Sequence, residues 1–160
     1  MPSPKHAADL ERILSRAAEE CESKHAVWFG DGLPQAVRSA LETLGRSTSE
    51  DPAELAFVEV TAVSPQGRAT SDAGLPELEC PVVGLSSSTL EDLGSLLGSQ
   101  CQNGIQITRL ICPVAVFDFT PDGVHVREVR HGLTAASLQR KLSTTLWAGP
   151  DLKELGTHQS

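Results

Sequence analysis

No apolar run approaches the ~18 residues that a membrane-spanning helix needs, and the opening segment MPSPKHAADLERI has no secretory h-region. Cations are scarce as well: 13 Lys and Arg against 21 Asp and Glu leave a net charge of −8. A nucleic-acid backbone or an anionic membrane needs a surplus of cations, so neither is expected as a partner. The four cysteines, Cys21, Cys80, Cys101 and Cys112, include no CxxC pair. Reduced thiols are therefore expected rather than disulfides or a zinc site. His25, His125 and His131 share no metal-ligand spacing, and no metal is expected. There is no internal repeat and no Gly-x-Ser-x-Gly elbow that would expose a catalytic serine. What is left is an acidic, cytoplasmic protein of 160 residues, 39% hydrophobic. A chain of this length hides roughly 68–70% of its unfolded surface, enough for a core without staples. One domain is expected over residues 1–147, with a polar, fraying tail over 148–160.

The apolar spacing sets the expected order of elements. Leu10, Ile13, Leu14, Ala17, Ala18 and Cys21 recur at three and four residues, one stripe of an amphipathic helix from about Ala7 to Ser23. Ala26 to Phe29 reads as a short buried strand, followed by the turn Gly30-Asp31-Gly32-Leu33-Pro34 and a helix from about Pro34 to Leu44. Proline suits a first helical turn because its missing N–H costs nothing there. The polar stretch from Gly45 to Pro52 breaks the pattern. Leu55 to Val63 is then apolar on both faces, as a central covered strand would be. Arg68 to Pro81 reads as loop, Pro81 to Leu85 as a short strand, and Thr89 to Leu97 as a helix weakened by Gly94. Two apolar runs, Ile105 to Ile111 and Val114 to Phe119, are separated by Cys112-Pro113. A turn at Thr120-Pro121-Asp122-Gly123 returns the chain along Val124 to Val129, and Thr134 caps a last helix to about Leu142. The sum is an α/β fold: a mostly parallel sheet flanked by helices, with a C-terminal β-hairpin.

Three blocks of the chain, in order, resemble one family. Ile13-Leu14-Ser15-Arg16-Ala17-Ala18-Glu19-Glu20, with Ala26-Val27-Trp28-Phe29-Gly30-Asp31-Gly32-Leu33-Pro34, is similar to the opening of a class I CoA-transferase β subunit. There a helix with a basic–Ala–Ala pattern precedes a strand and a Gly-x-Gly-Ile-Pro turn. Leu55 to Gly67 resembles that family's central strand and the turn after it. Ile107-Thr108-Arg109-Leu110-Ile111 and Ala115-Val116-Phe117-Asp118-Phe119-Thr120-Pro121-Asp122-Gly123 resemble its closing hairpin, and Gly132-Leu133-Thr134 the helix start after it. Two features depart from the family. Its catalytic glutamate lies in a Ser-Glu-Asn-Gly segment, and the nearest echo here is Ser49-Glu50-Asp51-Pro52, with proline in place of glycine. The expected Gly-rich CoA-side loop is missing too, since Leu75 to Ser99 holds no Gly-Gly pair. The chain resembles a shortened member with its scaffold kept.

The resemblance implies transfer of CoA between carboxylic acids through a glutamyl-CoA thioester, with coenzyme A thioester as substrate and no tightly bound cofactor. It implies an α-like partner subunit or self-association. By position Glu50 is the candidate nucleophile, against the plainer reading of a solvated loop residue. Glu59, inside a strand apolar on both faces, is either partly desolvated or paired with an arginine, against the plainer reading of an edge-exposed face or a structural ion pair. The turn at Gly30, Gly32 and Leu33 opens a helix whose N-terminus suits an anion such as a CoA phosphate or thioester oxygen, or it is only a tight connection. Arg109 is expected in a structural salt bridge, and Cys101 and Cys112 as buried thiols. Ser86-Ser87-Ser88-Thr89 reads as a loop and helix cap, and His125 points away from the valines that flank it. Two other functions stay open: a non-catalytic binding or assembly subunit, and an acyl-CoA hydrolase or lyase on the same scaffold.

Overall fold

Parallel pairing begins with the first two strands and sets the architecture. The computed structural model describes residues 4–21, 26–30, 32–43, 54–70, 80–97, 104–130, 132–142 and 145–155. In chain order these form α1 (Pro4–Glu20), β1 (Val27–Phe29), α2 (Leu33–Thr43), β2 (Leu55–Glu59), β3 (Ala62–Val63), β4 (Arg68–Thr70) and β5 (Val82–Leu85). A 3-10 turn (Leu90–Asp92) then leads into α3 (Leu93–Leu97), followed by β6 (Ile105–Gln106), β7 (Arg109–Ile111), β8 (Ala115–Thr120), β9 (Gly123–Arg130), α4 (Ala135–Gln139) and β10 (Leu146–Leu155). Seven strands make one sheet in the order β1-β2-β5-β7-β8-β9-β10, and β3, β4 and β6 make a small antiparallel one. β1, β2, β5 and β7 run parallel, β8 and β9 are the expected antiparallel hairpin, and β10 returns parallel to β9.

The large sheet is covered on both faces, which is why its strands carry apolar residues on both sides. One core joins Ile13 and Ala17 of α1, Cys21 just after it, and Val37 and Leu41 of α2 to Phe29, Leu55, Phe57, Leu85 and Ile111. The Phe29 and Phe57 rings stack there at 5.8 Å between centroids. The other core sets Leu93, Leu96 and Leu97 of α3, Leu138 of α4 and Val63 and Ala69 of the small sheet against Val58, Leu110 and Phe117. Gly67 is the tightest point between the two sheets. Its φ is 85°, and a Cβ there would stand 2.9 Å from Phe119 Cβ and 2.8 Å from the Ile107 carbonyl.

Several expected boundaries shift, each for a backbone reason. Leu55 to Val63 is not one strand: the Val60 N–H still bonds the Leu85 carbonyl (2.9 Å), but the Thr61 N–H bonds the Thr70 carbonyl (2.8 Å) and the chain enters the small sheet. Ile105 to Ile111 divides likewise between β6 and β7, with the Ile107 N–H on Gly67 and the Thr108 N–H on Val82. The stretch read as loop from Arg68 opens as β4. The residues from Ala148, read as a fraying tail, continue β10 to Leu155. Thr134 caps α4 as expected, in a reciprocal pair with Ser137. No helix among the described residues is long and apolar enough to cross a membrane.

Candidate active site

The carboxyl ends of the parallel strands form one rim, the place where open α/β sheets present their ligand-binding residues. Chain pairing puts Glu59, the last residue of β2, level with Leu85 and, one strand further, Ile111. Beside it, β1 ends at Phe29, and the Gly30 N–H bonds the Phe57 carbonyl at 3.0 Å. The chain then turns at Gly32, with φ 85°, into α2.

The turn and the carboxylate are built around each other. The Leu33 N–H, the first donor of α2, points to Glu59 Oε1 at 3.0 Å, joining residues 26 apart in sequence. A helix start leaves such N–H groups without intrahelical acceptors, and the helix dipole favours negative charge at that end. Helices usually take the acceptor from a Ser, Thr, Asp or Asn side chain just before the first turn. Gly32 stands there instead, so the neighbouring strand supplies the oxygen. A Cβ on Gly32 would lie 2.8 Å from Glu59 Oε1, so glycine is needed both for the positive φ and for this approach. Glu59 is half-buried, and among the described residues no hydrogen bond reaches its second carboxylate oxygen.

Gln35, in the first turn of α2, closes the arrangement from below. Its N–H bonds the Gly32 carbonyl at 3.0 Å. Its side-chain amide nitrogen donates to the Phe29 carbonyl at 3.2 Å and to the Gly30 carbonyl at 3.0 Å. Pro34, buried between them, has no N–H to satisfy. Further along the rim, buried Ser86 receives the Ser88 N–H on its Oγ at 3.1 Å and donates to Ser88 Oγ at 3.0 Å, a closed serine loop.

Of the residues singled out from sequence, Gly30, Gly32, Leu33 and Glu59 come together here. Glu50 and Cys101 lie outside the described residues. Arg109 lies apart, at the start of β7, in the structural role expected of it. Its guanidinium meets Asp118 at 2.6 and 3.1 Å and also Glu20, contacts that raise its pKa, the Asp118 hydrogen bond most. Cys112 is fully buried and burial pushes its thiol up to about 11, which removes it as a nucleophile near neutral pH. His125 does face away from Val124 and Val126, but it lies against the Trp147 ring, with Nε2 buried and unpartnered among the described residues. Gln35 and the Glu59–Leu33 contact are what the sequence reading did not join. The available signal was one glutamate in an apolar strand just after a Gly-x-Gly turn.

The mixed, mostly parallel sheet flanked by helices is a CoA-transferase-like fold. No family model matches the sequence, and no curated protein does. Solved structures match it closely in shape. The decarboxylase AibA/AibB has a TM-score of 0.66 at 12% identity over 94% of this chain and 90% of that one. An acyl-CoA transferase of Escherichia coli O157:H7, YdiF, in a thioester complex with CoA, has a TM-score of 0.64 at 14% identity. This chain covers 43% of that one, with 91% of its own length aligned. IpdAB of Rhodococcus jostii RHA1 matches at 0.64 and 12% identity over 94% of this chain and 89% of that one.

Proposed function

We propose that this chain is a β-subunit-like component of an acyl-CoA-handling enzyme, moving CoA between carboxylic acids with Glu59 as nucleophile. The observation that carries the reading is the Glu59 carboxylate, held on one oxygen by the Leu33 N–H at the rim of the parallel strands. The second oxygen attacks the acyl-CoA thioester carbonyl, giving a mixed anhydride and releasing the CoA thiolate. The thiolate then attacks the glutamyl carbonyl, forming glutamyl-CoA and freeing the donor acid. An incoming carboxylate reverses both steps and leaves as the new acyl-CoA. Gly30, Gly32 and Leu33 line the thioester end of the substrate. The likeness to an acyl-CoA transferase crystallised as a thioester complex with CoA supports this chemistry. That transferase is more than twice the length this chain covers, which supports a second, α-like chain or a second copy completing the site.

One observation favours a non-catalytic subunit instead: the Glu59–Leu33 bond caps α2, a sufficient structural task for a carboxylate. The likeness to a decarboxylase supports a lyase as a third reading.

Borohydride trapping separates these. The protein is incubated with acetyl-CoA or succinyl-CoA, alone and with an α-type subunit, then reduced and weighed intact. A glutamyl thioester is converted to an alcohol, with net loss of one oxygen and gain of two hydrogens. The expected product carries that change on Glu59 by peptide mapping. Modification of Glu50 moves the nucleophile to the sequence segment before β2, and no modification under any condition leaves the capping role.

A further inference from the structure

The two hydrogen bonds from one amide nitrogen of Gln35 have no part in ordinary helix capping. A Gln at this place usually reaches back to an N–H just before the helix, using its oxygen. Here the nitrogen is used, and it reaches past the helix to two consecutive carbonyls, Phe29 and Gly30, at the end of β1. With the Gln35 N–H on Gly32, the residue ties three carbonyls of one turn to the first turn of α2. Gly32 sits at φ 85°, and without a Cβ its backbone is freer than any other residue's would be. The N–H that meets Glu59 lies immediately after it.

We infer that Gln35 is a positioning residue for the Glu59 carboxylate. It holds the Gly30–Leu33 turn at the depth where the Leu33 N–H meets Oε1, and so fixes the rotamer that leaves the other oxygen for attack. Satisfying the Phe29 and Gly30 carbonyls also keeps those acceptors from competing for donors in the turn. The inference rests on Glu59 being the reactive group, because a merely capping carboxylate needs no such accuracy. Displacing a reacting atom by about 1 Å costs on the order of a hundredfold in rate.

The test uses the Leu33 amide as a reporter in NMR pH titrations of the whole protein. In the wild type the Leu33 amide shift is expected to change in one step with the charge on the carboxylate it meets, and Glu59→Gln to abolish that step. Gln35→Leu, and Gln35→Met with its side chain of similar length, are expected to keep the fold by circular dichroism. Both should lose most of the Leu33 step and slow borohydride trapping at Glu59 by about tenfold to a hundredfold. A full Leu33 step in both variants overturns the inference. If wild-type Glu59 is never trapped, the catalytic reading fails while the titration still reports whether Gln35 sets the contact. If Gln35→Leu unfolds, Gln35→Met decides.

Discussion

Glu59 and Gly32 are a matched pair, and the glycine is the less replaceable of the two. Alanine at position 32 would meet Oε1 at 2.8 Å and would have to hold φ at 85°. Strain of this kind costs about 1–3 kcal/mol. Gly32→Ala is expected to lower the urea midpoint accordingly and to abolish trapping at Glu59; an unchanged midpoint would refute the contact. Cys112 gives a second prediction at this scale. Burial raises its thiol from the ordinary 9.0 to about 11, so the folded state binds the proton more tightly than the unfolded chain. That contribution is whole below about pH 9 and is lost as pH climbs to about 11, roughly 2–3 kcal/mol. Denaturation between pH 8 and 11 should show this fall, and Cys112→Ala, though less stable throughout, should show a shallower one. Part of this was legible in the sequence. A lone glutamate in an apolar strand marks itself, and so does a Gly-x-Gly-Leu-Pro turn. That one meets the other was not legible, because the register of β1 on β2 depends on packing in both cores.

Elements that look independent in the sequence are fastened by charge. Arg109 in β7 is the hub between α1 and the hairpin: it joins Glu20 of α1 to Asp118 of β8, which Arg127 of β9 also meets at 3.2 Å. Arg16 of α1 reaches Glu128 of β9 at 2.7 Å, and the two side chains are 12% and 15% exposed. Pairs this shielded matter more than surface ones, and removing one partner strands the other. Arg109→Met leaves Glu20 with Arg16 and Asp118 with Arg127 as their remaining cations, and a loss of about 1–3 kcal/mol, between the surface and buried cases, is expected. Glu20→Gln should cost less, since Asp118 keeps Arg109; equal losses would show that the hub is not shared. Arg109 as a salt-bridge residue could be expected from a guanidinium in an apolar strand. Its partner in α1, 89 residues away, could not. The split of Leu55 to Val63 and of Ile105 to Ile111 between two sheets was hidden for another reason. Val60 and Ile107 lie buried where the strands change sheets, so the apolar pattern runs on unbroken while the hydrogen bonding does not.

Across the whole molecule, the alternation of helix and parallel strand in the first half announces the architecture, and the hairpin from Ala115 to Arg130 completes it. The small sheet was not legible, because its strands are two or three residues long and take their definition from the turn at Gly67. At this scale the trapping experiment has a further expectation. This chain covers only 43% of the acyl-CoA transferase it resembles, so on the proposed reading modification should rise when an α-type subunit is added. Equal trapping with and without it would mean that this chain, or a pair of copies, builds the whole site.

One outer strand of the large sheet, β10, follows its neighbour β9 in the chain only after α4. β10 lies beside β9, so β9 keeps an open edge from Val124 to Arg130 until residues 146–155 have left the ribosome and folded back past α4. An open edge of that length is a template for pairing with another chain. A protein ended at Leu142 is expected to aggregate as it is made, while adding back the missing strand as a separate peptide should restore solubility. In the folded molecule β10 covers the edge that β9 would otherwise present.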